Sequence, residues 1–416
     1  MERRVAVTGL GCISALGHDV PALLGRLCSG ETAIRMVERT QCGDTVRFPA
    51  AEVTGYEPRN HFTGPELLLR DPFAQFALIA AREAIADAGI TCRDDPDGTA
   101  IVFGTGGGGE TSREQAAVQL FAERKGRCHP MLVPKTNAQA SVGLVSIEHG
   151  ITGPAFTIST GCAAATHAIA QAFELVRRGK VARAITGGSE ASILYSAMKA
   201  FSAVQALATD TCRPFSAGRR GLVLGEGAGM LVLEDLETAR VRGARVYAEL
   251  VGAGMSADAG DPVHPTTAGP ASAIRAALRD AGLAPGAIGY INAHGTGTIA
   301  NDRIETAAIH AAFGAAAPGI AVSSTKSLHG HAFGAAGGIE AVATVLALHC
   351  GVLPPTANYA APDPECDLDY VPGAARRQQV EHALSNSFAF GGLNAVIAFS
   401  RMPDPARPDL AAVVAR

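Results

Sequence analysis

The 416 residues suffice for one large globular unit or two fused halves, and with 47% of them apolar and a net charge of -4 they read as an ordinary well-packed protein. Arg far outnumbers Lys, but no basic run forms a track for a phosphate backbone, so nucleic-acid binding is not expected. No stretch is read as reaching the roughly 18 apolar residues of a membrane span, and the nine cysteines stand singly without CxxC pairs or framework spacing, which points to a reducing cytoplasm.

After Met1-Glu2-Arg3-Arg4 the chain opens with RVAVTGLG at 4–11, whose apolar run is broken by Thr8 and Gly9; it is read as a first strand rather than a leader. Short β-branched runs ending in glycine or serine turns follow at 100–106 (AIVFGTG), 156–160 (FTIST), 182–188 (ARAITGG) and 229–235 (GMLVLED). Helical spacing separates them, as at 73–87 and 163–178, which is the alternation of a parallel or mixed α/β sheet. After about residue 250 the rhythm restarts with YAELVGAG, GYINAHG, IAVSSTKS, ALSNSF and NAVIAFS. Two related halves, 1–250 and 251–401, are therefore expected in one rigid body, with a peripheral Pro- and Ala-rich tail over 402–416.

FTIST runs through Gly161 into Cys162, and the segment after it has helical spacing of Ile169, Phe173 and Val176. Cys162 is thus placed at a strand-to-helix turn, where the helix N-terminus favours negative charge and draws a thiol pKa toward a reactive range of about 3.5–7.5. The competing reading is a buried structural cysteine, which is preferred for the other eight. INAHGTGT sets His294 directly after a strand in a glycine and threonine turn, the way a hydrogen-bond donor or general acid is presented at a sheet edge. SSTKSLHGHAFGAAGGIEA has the same strand-to-loop form and carries Lys326, His329, His331 and Glu340. His329-Gly330-His331 has no carboxylate or cysteine at ligand spacing, so no metal is expected. GTGGGG at 104–109 lacks the Gly-Lys-Ser/Thr of a phosphate loop. His167 reads as helix packing, and Gly225, Gly227 and Gly229 as sites of close backbone approach.

A cysteine, two histidines and a lysine, all on loops after strands, resemble the elongating β-ketoacyl-acyl carrier protein synthases, decarboxylating Cys-His-His condensing enzymes of the thiolase-like superfamily. The resemblance covers residues 4–400 and includes VTGLG at 7–11, STGCAAA around Cys162, RPFSAGRRGLVLGEGAGMLVLE at 213–234, NAHGTGT around His294, STKSLHGHAFGAAGGIE at 324–340 and NSFAFGGLNA at 386–395. It implies a thiolase-like α/β fold, two similar halves layered α-β-α-β-α. It also implies a decarboxylative Claisen condensation of a Cys162-bound acyl chain with malonyl-carrier protein. By the same resemblance His294 and His331 hold the malonyl thioester carbonyl and stabilise the enolate as neutral hydrogen-bond donors. Lys326 and Glu340 form a buried supporting pair. The backbone N–H groups of Cys162 and Phe390 form the oxyanion hole, Phe390 gates the two half-reactions on a loop freed by Gly391 and Gly392, and Thr296 and Thr298 contact the pantetheine arm. The implied partners are an acyl carrier protein and a second subunit, identical or a chain-length factor; no cofactor is implied beyond the carrier's phosphopantetheine.

Several positions depart from the family pattern. Gly107 falls where fatty-acid-elongating members carry isoleucine at the bottom of the acyl pocket, so a deeper tunnel is expected for longer, bulkier or more rigid chains, as in polyketide or polyene synthesis. STGC and PDPECDLDYVP at 362–372 likewise resemble the ketosynthase subunit of type II polyketide systems. Leu67-Leu68-Leu69 replace basic residues that meet the acidic carrier, leaving Arg70 as the only positive charge there, so docking on another patch or a non-standard carrier is expected. Ser216 and Arg220 replace aspartates and are expected to make that surface more positive. A non-catalytic chain-length factor is disfavoured because Cys162 is retained, a thiolase because NSFAFGG stands where a second cysteine is needed, and a priming synthase because His331 stands where asparagine is expected. Plain fatty-acid elongation stays open.

Overall fold

The β-branched runs condense into ten strands of one sheet in the computed structural model, which describes residues 2–402. In chain order they are β1 (Val5–Ser14), β2 (Thr99–Gly104), β3 (Ala155–Ile158), β4 (Arg183–Glu190), β5 (Gly227–Asp235), β6 (Ala248–Ala257), β7 (Tyr290–Asn292), β8 (Ala321–Ser323), β9 (His382–Ala389) and β10 (Leu393–Arg401). Across the sheet the order is β8-β7-β9-β10-β6-β1-β5-β4-β2-β3. Outward from the centre each half runs first, fifth, fourth, second, third, and in each the last three strands are parallel. The halves join where Val5, Ala6 and Val7 of β1 pair antiparallel with Leu250, Glu249 and Ala248 of β6. The restarted rhythm is therefore a repeat of topology.

Six helices matter for the site: α1 (Pro72–Asp87), α2 (Glu110–Ala117), α3 (Ala164–Arg177), α4 (Ala268–Ala281), α5 (Ile299–Phe313) and α6 (Ala336–Cys350). Helices α3 and α6 lie between the half-sheets and touch strands of both, while α1 covers the far face of the first half and α4, backed by α5, that of the second. This is the α-β-α-β-α layering of the thiolase-like fold. All fifteen residues of α6 are buried, as expected of a helix that is apolar all round. The stretch Phe333–Cys350 is in fact 18 residues long and apolar enough to cross a membrane, which corrects the expectation that no such stretch exists; 94% of it is buried inside the protein as core. Glycines let α6 approach so closely: a Cβ on Gly229 would stand 2.4 Å from the carbonyl carbon of Gly338.

Two side chains read as surface groups, Arg70 and Ser216, instead find partners inside. Arg70 is only 8% exposed, with its guanidinium 2.8 Å from Glu66 and 4.7 Å above the Phe62 ring, so it is no free docking charge; Leu68 and Leu69 are exposed beside it. Ser216 is fully buried, its hydroxyl oxygen accepting the N–H groups of Ala360 and Ala361, so of that pair only Arg220 adds positive charge to the surface. Of the tail expected over 402–416, residues 403–416 lie outside the described residues.

Candidate active site

Strand β3 ends at Ile158, a tight turn spans Gly161–Ala163, and α3 begins at Ala164, so Cys162 sits in the connection the sequence suggested. Gly161 has φ +57°, a left-handed conformation that favours glycine. His167, one turn into α3, braces the connection: its Nδ1 lies 2.9 Å from Thr160 Oγ1 and 3.1 Å from the Ala163 carbonyl oxygen. Cys162 opens onto two cavities. One is a chamber of about 610 Å³ whose lining includes Gly106, Gly107, Glu110, Ser192, Phe201 and Phe333. The other is a tunnel of about 320 Å³ whose lining includes Arg220, His294, Thr296, Thr298, His331 and Asn394. Cys162 and Phe390 border both.

The expected low thiol pKa is not what this setting produces. Although Cys162 keeps some exposure to the cavities, the protein packed around its sulfur removes bulk water, and burial pushes the thiol up to about 11 against the downward pull of Lys326. Desolvation outweighs the pull of the Lys326 charge. The resting group is a thiol, so its proton has to move in the step that uses the sulfur.

His294 follows β7, and its backbone N–H and that of Gly295 donate to the buried Glu305 carboxylate at 2.8 and 2.7 Å. His331 is held by backbone bonds to the segment before β5: its N–H donates to the Val223 carbonyl at 2.7 Å, and its carbonyl accepts from Gly225 N–H at 2.9 Å. A Cβ on Gly225 would meet the His329 carbonyl oxygen at 2.5 Å, so this pairing needs glycine. The His294 and His331 rings are 5.3 Å apart and nearly perpendicular. Burial, reinforced by the Lys326 charge and by a neighbouring histidine in each case, holds both imidazoles well below their ordinary range, so both are neutral. Nδ1 of His294 and both ring nitrogens of His331 are buried without a hydrogen-bond partner among the described residues. Buried polar atoms left this way at a cavity wall are suited to a ligand.

Lys326 and Glu340, both fully buried, form an ion pair. Burial pushes the Glu340 carboxyl up to about 7, with Lys326 opposing. Thr296 and Thr298 line the tunnel with their hydroxyls 2.9 Å apart, and Thr298 Oγ1 also accepts the Asn301 N–H at the start of α5. Phe390 is 52% exposed, followed by Gly391 (φ +84°) and Gly392 (φ +69°), and Gly391 N–H donates to the Pro262 carbonyl at 2.8 Å.

Four residues escaped the sequence reading. Glu305 holds the His294 turn, and Asp302, three residues earlier on α5, accepts from Phe215 and Gly297 N–H groups. Two carboxylates three apart at the start of a helix behind a glycine-rich turn were the available signal. The Glu190 carboxyl fills the glycine run that lacks a phosphate loop's lysine: the N–H groups of Gly106 and Gly107, joined by that of Gly334, converge on it, while burial pushes it up to about 7. Phe333, stacked on Phe201 with centroids 4.8 Å apart, takes the sparsely populated φ of +43° beside His331. Gly107 does border the chamber, and the Glu110 carboxylate lies against it, in the space where a side chain at 107 would begin.

Comparison with known proteins shows what the chain as a whole is similar to. The profile for the beta-ketoacyl synthase N-terminal domain matches residues 2–239 and that for the C-terminal domain residues 247–360. A "Nodulation protein E" of Rhizobium sp. (strain N33) is 44% identical over 97% of this chain and 100% of its own. A "3-oxoacyl-[acyl-carrier-protein] synthase 2" of Staphylococcus aureus is 41% identical over 96% of this chain and 99% of its own. Among solved structures, the "ishigamide ketosynthase/chain length factor" superposes with TM-score 0.91 at 36% identity, covering 97% of this chain and 100% of that one.

Proposed function

The chain belongs to the β-ketoacyl synthase family and is a β-ketoacyl-acyl carrier protein synthase, a condensing acyltransferase of polyketide or fatty-acid synthesis; from that premise we propose which residues carry its steps. The observation that supports the assignment most is the junction: Cys162 and Phe390 border both cavities, with the two neutral imidazoles on the tunnel side.

In the first step an acyl thioester of a carrier's phosphopantetheine enters along Thr296 and Thr298. The Cys162 sulfur bonds to the acyl carbon, the carbon-to-pantetheine sulfur bond breaks, and the Cys162 proton leaves on the released pantetheine thiol. Because burial keeps the free thiol protonated, proton loss and attack belong to one step. The backbone N–H groups of Cys162 and Phe390 hold the tetrahedral oxyanion, where such donors supply about 2.7–4 kcal/mol each. The acyl chain then lies in the chamber while malonyl-carrier protein fills the tunnel. Loss of carbon dioxide leaves an enolate whose oxygen is held by His294 and His331 as hydrogen-bond donors. Its carbon bonds to the acyl carbon, and the Cys162 sulfur departs and takes up a proton. Lys326 and Glu340 support the histidine loops and set the local field, and Phe390 moves between the half-reactions on its two glycines. No cofactor beyond carrier-borne phosphopantetheine enters this scheme.

The partners follow from the same reading: an acyl carrier protein, as the name of the Staphylococcus aureus relative indicates for that enzyme, and a second subunit at the free edge of β3, where Phe156 is exposed. That subunit is a second copy of this chain or a chain-length-factor-like protein, the pairing named for the ishigamide structure. A cytoplasmic setting goes with these substrates. The test is intact-mass analysis of the protein with acyl- and malonyl-carrier proteins. Mass gain on Cys162 followed by a β-ketoacyl product supports the scheme; acylation of Cys162→Ala protein, or condensation by it, overturns it.

A further inference from the structure

The chamber is lined in part by carboxylates that the condensation does not use. Helix α2 begins at Glu110, and its side chain folds over Gly107: a Cβ at 107 would stand 2.2 Å from Glu110 Oε1. The missing side chain at 107 is what admits the carboxylate to the chamber. Glu110 Oε2 accepts a 2.6 Å hydrogen bond from Ser192 Oγ, and that hydroxyl lies 3.3 Å from Glu190 Oε1.

The two carboxylates differ in what they have left to offer. Glu190 is fully buried and its oxygens are taken up by the glycine N–H groups and Thr105. Glu110 is half-buried, and its Oε1 accepts no hydrogen bond from any described residue. Two other charged side chains line the chamber, each with one hydrogen bond: Arg113 Nη2 donates to the Thr136 carbonyl at 3.0 Å, and Glu114 Oε2 accepts from Ser196 N–H at 2.8 Å; Glu110 differs from both in lying directly over Gly107. The apolar part of the chamber wall includes Ala117, Ala197, Ala200, Phe201 and Phe333, with Ser196 as a further polar residue. A plain hydrocarbon chain pressed against Oε1 would strip its water and return nothing, whereas a hydroxyl would replace that water with a charge-assisted hydrogen bond.

We propose that Glu110 makes the chamber selective for acyl chains of the hydroxyacyl class, its Oε1 accepting a hydrogen bond from a chain hydroxyl beyond the reacting thioester. Discrimination arises mainly from the penalty imposed on chains that lack the donor. This inference rests on Cys162 being the acyl carrier.

The test uses acyl pantetheine thioesters of graded length, each with a terminal hydroxyl or a terminal methyl, and reads the initial rate of mass gain on Cys162 of the intact protein. In each productive reaction the Cys162 sulfur gains the acyl carbon, and pantetheine leaves with the proton. The wild type is expected to favour the hydroxyl chain about tenfold at the length that reaches Glu110, the effect of one hydrogen bond to an ionised acceptor. Glu110→Leu should reverse the preference, and Glu110→Gln, which keeps the shape and an acceptor oxygen, should retain part of it. Equal rates for both chains at every length in the wild type, or an unchanged preference in Glu110→Leu, would overturn the proposal. Absence of any adduct on Cys162 refutes the acyl-enzyme reading and this inference with it; adducts formed without discrimination refute this inference alone.

Discussion

Replacing Gly107 by isoleucine probes the chamber where its shape depends on a single residue. The new Cβ would stand 2.2, 2.3 and 2.7 Å from Oε1, Cδ and Cγ of Glu110, so the carboxylate has to swing away. The backbone permits the change, because φ at Gly107 lies outside the left-handed range. Displacement breaks the 2.6 Å bond from Ser192, of a kind worth about 1.5–3 kcal/mol when one partner is charged, and water reaching the half-buried carboxylate recovers part of that. The larger effect falls on substrate. Burial is worth about 0.8 kcal/mol per methylene, so an acyl chain that loses three or four methylenes' worth of chamber should acylate Cys162 more slowly by on the order of 100-fold. Chains too short to reach Gly107 should be unaffected. Intact-mass acylation rates across donors of graded length provide the assay. Gly107→Ala serves as control, moving Glu110 with far less filling of the chamber. A folded Gly107→Ile protein with the wild-type chain-length profile would refute the placement of Gly107 and Glu110 on the acyl path.

With the Cys162 thiol up at about 11, its alkylation by iodoacetamide, followed at that peptide, should rise about tenfold per pH unit from about pH 7 to 10; a plateau below about pH 8 would contradict a desolvated thiol. Both imidazoles lie well below 6.5, so malonyl decarboxylation should show no histidine titration between about pH 6 and 8, and a step near 6.5 would contradict neutral donors. His331→Ala should lower that decarboxylation by on the order of 10²–10³ while Cys162 still accepts acyl groups; equal loss of both steps would merge the roles assigned to the two groups. Lys326→Met leaves the Glu340 carboxylate buried and alone, and should cost about 3–5 kcal/mol in denaturant unfolding, most of it regained in Lys326→Met/Glu340→Met. A single variant as stable as the wild type would mean that the pair is not supporting the fold.

The strands, the turn carrying Cys162 and the histidines after their strands were legible in the chain because each rests on neighbours in sequence: β-branched runs, glycine at positions of positive φ such as Gly161, small residues ahead of a helix. Roles set by distant neighbours were not. Glu190 lies 84 residues from the Gly106 N–H it accepts, and nothing in TGGSE shows that a glycine nest will close on it. Arg70 read as a surface charge until Glu66 and Phe62 enclosed it, and Ser216 as a surface swap until two backbone N–H groups claimed its hydroxyl. Sequence pattern alone was enough to give Cys162 its position and an expectation of ready ionisation. Only the folded protein could reverse that expectation and bring Glu110 against Gly107, because desolvation and proximity depend on everything packed around a group in space.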